Sequence, residues 1–148
     1  MNRNVVTRPL LAYLGASALV VGVWAQFAPR SFYDHFPGLG HVWVGVDGPY
    51  NEHLLRDVGG LNLALAIVIA AAAVTLSRAA VVTAALASLA YGVPHLVYHL
   101  AHTDGIATDD VVSSVGGLAL FVTAAAVLLL VAGRDRVDRG GPRPTMEP

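Results

Sequence analysis

Residues 95–102 read HLVYHLAH, which places His95, His99 and His102 at i, i+4 and i+7 in a chain with only six histidines. On a helix, positions i and i+4 lie one above the other on a single face. Helical zinc sites use this spacing when two imidazoles share an ion. His95 and His102 are separated by about 10.5 Å of helix rise, too far for both to reach one ion over bonds of about 2.1 Å. His95 with His99 is therefore the natural pair, and His99 with His102 is an i, i+3 substitute. A second i, i+4 pair, His53 and Asp57, lies in the run Asn51-Glu52-His53-Leu54-Leu55-Arg56-Asp57. If the two pairs face each other, His53, Asp57, His95 and His99 make a donor set suited to zinc or another borderline divalent metal. Glu52 would then be an outer-shell group or base, with Arg56, Tyr98 and His102 around it. A plainer account is also open. His and Tyr are ordinary residues at a helix end, and Asp57 beside Arg56 fits a helix N-terminus and a local ion pair. Haem fits least, because the other apolar segments carry no histidine to serve as the opposite axial ligand.

The elements that must position these residues follow from composition. The 148 residues are 55% hydrophobic and 13% charged, with a mean hydropathy of +0.62. Four stretches, Pro9–Ala28, Val58–Ser77, Ala79–Thr103 and Val111–Gly133, contain no Asp, Glu, Arg or Lys. Each reaches the roughly 20 residues a helix needs to cross about 30 Å of hydrocarbon. Backbone groups in lipid must be satisfied within the segment, so these runs predict helices, and they are too long for barrel strands. The expected fold is an all-α membrane four-helix bundle over residues 1–133, with helices at about 9–28, 58–77, 79–102 and 111–133. Residues 134–148, RDRVDRGGPRPTMEP, read as a disordered basic tail. Arg3 and Arg8 before the first apolar run resemble a signal peptide, but the run's 20-residue length favours a retained helix.

Arginine sets the expected orientation, since the chain has no lysine. With the N-terminus inside, Arg3, Arg8, Arg78, Arg134, Arg136, Arg139 and Arg143 are cytoplasmic, and only Arg30 and Arg56 are external. This positive-inside bias predicts a multi-pass protein of the cell membrane with both termini in the cytoplasm. Asp34, Asp47, Glu52, Asp57, Asp104, Asp109 and Asp110 then fall outside, together with all six histidines (His35, His41, His53, His95, His99 and His102). The histidines face an acidic external surface.

Several chemistries are excluded or weakened. There is no cysteine, which removes disulfides, thiolate metal sites and CxxC redox chemistry. No phosphate-binding glycine motif appears, and the few arginines are topology signals and not a nucleic-acid surface. No carboxylate lies near the middle of a segment, where a proton-coupled exporter usually needs one.

On the third segment Ser88, Tyr91, His95, Tyr98, His99 and His102 fall within about 100° of each other. Such a polar stripe turns toward a bundle interior or a watery cavity, and Pro94 should kink the helix beside it. The chain also shows signs of duplication. Pro29-x-x-x-Tyr33 and Pro94-x-x-x-Tyr98 correspond, as do Val58-Gly59-Gly60-Leu61 and Val115-Gly116-Gly117-Leu118. Two copies of one helical hairpin would give this pattern; chance would also give it in sequence so rich in Ala, Val, Leu and Gly. Both Gly-Gly pairs are expected to let helix backbones approach closely. Residues 29–57 hold Phe32, Tyr33, Phe36, Trp43 and Tyr50 between turn signals at Pro37-Gly38 and Asp47-Gly48-Pro49. They predict a partly ordered aromatic cap in the outer headgroup layer. The alternating His41-Val42-Trp43-Val44 has strand character but no evident partner strand.

The run Pro49-Tyr50-Asn51-Glu52-His53-Leu54-Leu55-Arg56-Asp57-Val58-Gly59-Gly60-Leu61, followed by an Ala/Leu-rich helix and by Pro94-His95-Leu96-Val97-Tyr98-His99, resembles a group of actinobacterial four-helix membrane proteins. More loosely, it is similar to the DoxX-like four-helix families. The resemblance implies a small integral membrane protein and brings no activity with it. The expected function is that of a structural or accessory membrane protein, seated in a lipid bilayer and acting through helix contacts with itself or a larger partner. A metal-binding protein or metalloenzyme with an outer-face His/Asp site is the alternative, and nucleic acid is not an expected partner.

Overall fold

The computed structural model describes residues 4–103 and 106–138, with side chains through 133. Four long helices, α1 (Asn4–Phe27), α3 (Glu52–Thr75), α4 (Arg78–Ala101) and α5 (Thr108–Asp138), form a bundle. A short helix α2 (Pro29–His35) and a two-residue antiparallel ladder, β1 (Pro37–Gly38) with β2 (His41–Val42), close one end. All four long helices are long and apolar enough to cross a membrane, and no more than a third of each span is buried inside the bundle. Leu19, Val20, Val23, Leu61, Ile67, Val74, Leu86, Val93, Leu120 and Leu130 point outward and are exposed. An apolar coat of this extent is untenable in water and suits a multi-pass membrane protein.

The boundaries have local causes. Pro29 disfavours helical geometry at Ala28 and ends α1, and then opens α2 as its first residue. α3 begins at Glu52, six residues before the charge-free run, because the Asn51 side chain accepts from Leu54 N at 3.1 Å and caps the helix. A tight connection follows it, with Leu76 in left-handed conformation and the Ser77 hydroxyl capping α4 at Ala80 N, 3.3 Å. That shortness makes α3 and α4 antiparallel neighbours. Pro94 lies inside α4, which runs unbroken to Ala101. α5 continues five residues past 133, so the expected disordered tail begins as helix; residues 139–148 of that tail lie outside the described residues.

The core sits at the end opposite the cap. It is built from Leu11, Leu14, Ala18, Leu65, Ala66, Ile69, Ala72, Val81, Ala84, Ala85, Phe121, Ala124, Ala125, Leu128 and Ala132. Eight of these fifteen are alanine, small residues that suit close helix packing where lipid removes the hydrophobic drive. Arg78 donates from Nε to Ala132 O at 3.0 Å and ties α4 to α5 at this end.

The most extensive contacts pair α1 with α3 and α4 with α5, the arrangement two hairpins would give. The matched motifs do not occupy matched places, however. Pro29 starts a separate helix, whereas Pro94 is inside one. The glycine pairs differ as well. A β-carbon on Gly59 would stand 2.4 Å from Gln26 N, whereas one on Gly60 would meet only Gln26 Oε1 at 3.6 Å. Gly116 and Gly117 have nothing within 4 Å. The expectation that both pairs bring helices together holds for Gly59 alone. Further close approaches between helices occur at Gly15 against Ile69, at Gly22 against Leu63 and at Gly92 against Phe121 and Val122.

Gly59→Leu should therefore destabilise the bundle by at least the roughly 1–3 kcal/mol of an overpacked core, while Gly117→Leu leaves the thermal unfolding midpoint in detergent unchanged. Equal losses in the two variants would refute this reading of the helix contacts.

Candidate functional site

The cap is ordered by its own chemistry. Gly38 and Gly40, at φ of 97° and 89°, make the turn between β1 and β2 in a region closed to most side chains. Phe32, Phe36, Trp24 and Trp43 stack edge to face with centroids 5.7–5.9 Å apart, and Phe32 and Phe36 lie 4.5 Å apart. The Tyr33 hydroxyl donates to Gly48 O at 2.6 Å and closes the loop from 43 to 48. Arg30 lies over the Tyr33 and Tyr50 rings and pairs with Asp34 at 2.7 Å. The hydrogen bond and charge of Asp34 hold the guanidinium above its ordinary pKa.

Four attachments fasten this cap to the bundle. Trp24 Nε1 of α1 donates to Ser31 Oγ at 3.1 Å. On α5, Asp110 Oδ1 takes the His41 Nδ1 at 2.7 Å and the Trp43 Nε1 at 3.0 Å. The Tyr98 hydroxyl of α4 donates to Asp47 at 3.3 Å. At α3, the Tyr50 hydroxyl donates to Glu52 at 3.4 Å; partial burial, followed by the nearby Glu52 charge, raises the Tyr50 phenol pKa. The alternating run at 41–44 thus has its partner strand, two residues long, and the cap is a folded lid.

Beneath the lid is a cavity of about 430 Å³. Its roof is Phe32, Phe36, Trp43 and Val44, and its walls and floor include Tyr13, Val21, Leu55, Val58, Leu118 and Phe121. Into this apolar shell project Ser17, Asp47, Asn62, Tyr91, His95, His99 and Ser114. Asn62 is buried and donates to Val58 O at 2.9 Å, and it interacts with Tyr91 across the α3–α4 contact. Asp47, Leu54 and Gly117 are the exposed members of the lining, so the cavity meets the surface at those positions.

The polar stripe on α4 divides. Tyr91, His95 and His99 face the cavity, and Ser88, below them, is fully buried with no partner for its hydroxyl among the described residues. Tyr98 and His102 are exposed at the lid end of α4 and stack on each other at 4.2 Å. His95 and His99 meet Nε2 to Nε2 at 3.1 Å.

The four expected metal ligands are not assembled. His53 and Asp57 approach each other at 3.4 Å, but their side chains are 89% and 58% exposed and neither lines the cavity. The face of α3 that does line it carries Leu54, Leu55, Val58 and Asn62. A helix face is only about 100° wide, and packing against α1 turns the His53/Asp57 face away from His95 and His99. Among the described residues no three His, Cys, Asp or Glu side chains are grouped to share an ion. Arg56 pairs with Glu52 at 2.8 Å, not with Asp57, and its Nη1 donates to Gln26 O at 2.6 Å, where it satisfies a carbonyl at the end of α1. Sequence reasoning missed Asp110, Asn62 and Ser114. Asp110 carries a usable signal, an acidic residue in the first turn of a helix beside a Trp- and His-bearing loop. The other two carry none beyond being polar in apolar runs.

Asp110→Ala should release the lid, because the Trp43 and His41 donors lose their acceptor at a cost of roughly 1–3 kcal/mol. Amide hydrogen exchange over residues 41–47 should accelerate while exchange in α3 and α4 does not. Unchanged exchange in the loop would mean that Asp110 does not hold the lid.

Compared with known protein families, with curated proteins and with solved structures, the chain matches none.

Proposed function

We propose that this multi-pass membrane protein holds a small molecule, with an apolar body and a hydrogen-bonding head, in the capped cavity between its helices. One observation carries the reading: the cap half of the bundle is hollow, and its lining combines an apolar shell with convergent polar side chains. Cavities of roughly 300–1,000 Å³ with this lining are the usual form of a small-molecule site. Closely packed side chains hold helices together more effectively than an internal cavity does, so a bundle serving only as a scaffold gains nothing from one. An accessory role through helix contacts, the expectation from composition, would use the outer faces and leave the cavity idle.

In this reading the lid faces the outside and both termini the cytoplasm, on the strength of the arginine distribution. The chain has no cysteine, so single cysteines test this cleanly. A membrane-impermeant thiol reagent should label Val46→Cys in intact cells and Ala79→Cys only after lysis. The reverse pattern would invert the orientation.

Gly117 shares the cavity-lining face of α5 with Ser114, Leu118 and Phe121, and a β-carbon there meets nothing. Gly117→Phe should fill the cavity without disturbing the fold. Protein purified in mild detergent should carry a small molecule, identified by mass spectrometry of the extract, that Gly117→Phe loses at unchanged thermal stability. If wild type carries nothing beyond bulk lipid, or Gly117→Phe carries the same molecule, the cavity is not a binding site and the accessory role takes its place.

A further inference from the structure

The Nε2 atoms of His95 and His99 point at each other inside the cavity, 3.1 Å apart. Their rings are tilted by 38° with centroids 4.9 Å apart, so the two lone-pair directions converge and the rings do not stack. For metal–nitrogen bonds of about 2.0–2.1 Å, two imidazole nitrogens on one ion sit roughly 3.3–3.4 Å apart at a tetrahedral angle and roughly 2.8–3.0 Å apart at a right angle. The observed separation falls between the two. The pair is therefore preset for a tetrahedral ion or a square-planar one with no change of rotamer.

We infer that His95 and His99 bind one divalent transition-metal ion of borderline character, copper(II), nickel(II) or zinc(II), on the wall of the cavity, leaving its remaining positions open. This inference concerns the cavity proposed above as a binding site and rests on that reading for what fills the open positions: water, or the polar head of the cavity's occupant. Imidazole suits these three ions, and a helical i, i+4 histidine pair supplies two ligands from one rigid element. A dication in an apolar shell needs a nearby negative charge. Asp47 lines the same cavity, held on the lid side by the Tyr98 hydroxyl, and is the one carboxylate in the lining. Two protein ligands and open positions describe an ion that takes part in ligand binding, unlike the closed four-ligand shell of a structural site. The His53/Asp57 pair differs: it is solvent-exposed and lies outside the capped cavity.

Metal-stripped full-length protein in lipid nanodiscs, incubated with Cu²⁺ and separately with Zn²⁺ and then gel-filtered, should retain one ion per chain by elemental analysis. Electron paramagnetic resonance of the copper form should show nitrogen ligation. His95→Ala and His99→Ala should each weaken retention by more than the roughly tenfold that loss of an outer-shell partner costs. His99→Gln, which keeps a polar group of similar size in the cavity, should do the same while unfolding at the wild-type temperature. His53→Ala and His102→Ala should bind as wild type does. Retention that survives His95→Ala and His99→Ala, equal loss in His53→Ala, or no retention by wild type would each overturn the inference. Gly117→Phe separates the two proposals. If the wild-type protein holds a molecule that Gly117→Phe expels yet takes up no ion, the metal inference fails and the cavity reading stands. If the ion binds and no organic molecule does, the opposite holds.

Discussion

Where α3 crosses α1 near the lid, the Gly59 backbone stands so close to Gln26 that a β-carbon would overlap the Gln26 main chain. Gly22 on α1 makes the reciprocal approach to Leu63 on α3. These two glycines lock α1 and α3 into a near-solid pair, and the Arg56 bond to Gln26 O closes the same contact at the helix end. With that pair tight, α4 and α5 pack as a second unit around Gly92 and Phe121. The space between the two units is then set by the side chains each presents inward.

Those side chains differ from one end to the other. Toward the termini they are mostly alanine, so the units meet and the bundle is solid. Toward the lid the inward positions include Ser17, Asn62, Tyr91, His95 and His99, too large or too polar to close up in the same way. The helices stand apart there, and the aromatic lid covers the gap. A lid of rings brings large apolar area at low conformational cost. Its fastening by Asp110 and by the Tyr98–Asp47 bond leaves it dependent on a few polar contacts and not on a continuous core.

The placement of the polar groups gives the hollow its chemical character. A buried polar side chain in an apolar surround is costly unless it is paired. Asn62 is paired within its own helix, His95 with His99, and Trp43 and His41 with Asp110. The imidazole pair is the exception in kind: its two Nε2 atoms meet each other and, among the described residues, have no other hydrogen-bond partner, and so form the element of the lining best able to exchange one partner for another.

Four helical spans, the short turn between the second and third, and an aromatic cap at one end were all legible in the sequence. Each depends on a property that survives without neighbours: length without charge, a hydrogen-bonding requirement in lipid, a density of rings. The inward turn of His95 and His99 was legible too, from helical periodicity. Four things were decided only by the tertiary structure: that Gly59 alone of the four paired glycines closely approaches another helix, which partner Arg56 takes, that Asp110 anchors the lid, and that His53 and Asp57 face away from the cavity. The physical reason is rotation about the helix axis. In spans whose apolar residues run all the way round, periodicity leaves that angle nearly free, and 100° of it moves a side chain from the cavity to the surface. The close contacts at Gly22 and Gly59 fix the angle for α3, and they are visible only once the two helices lie side by side.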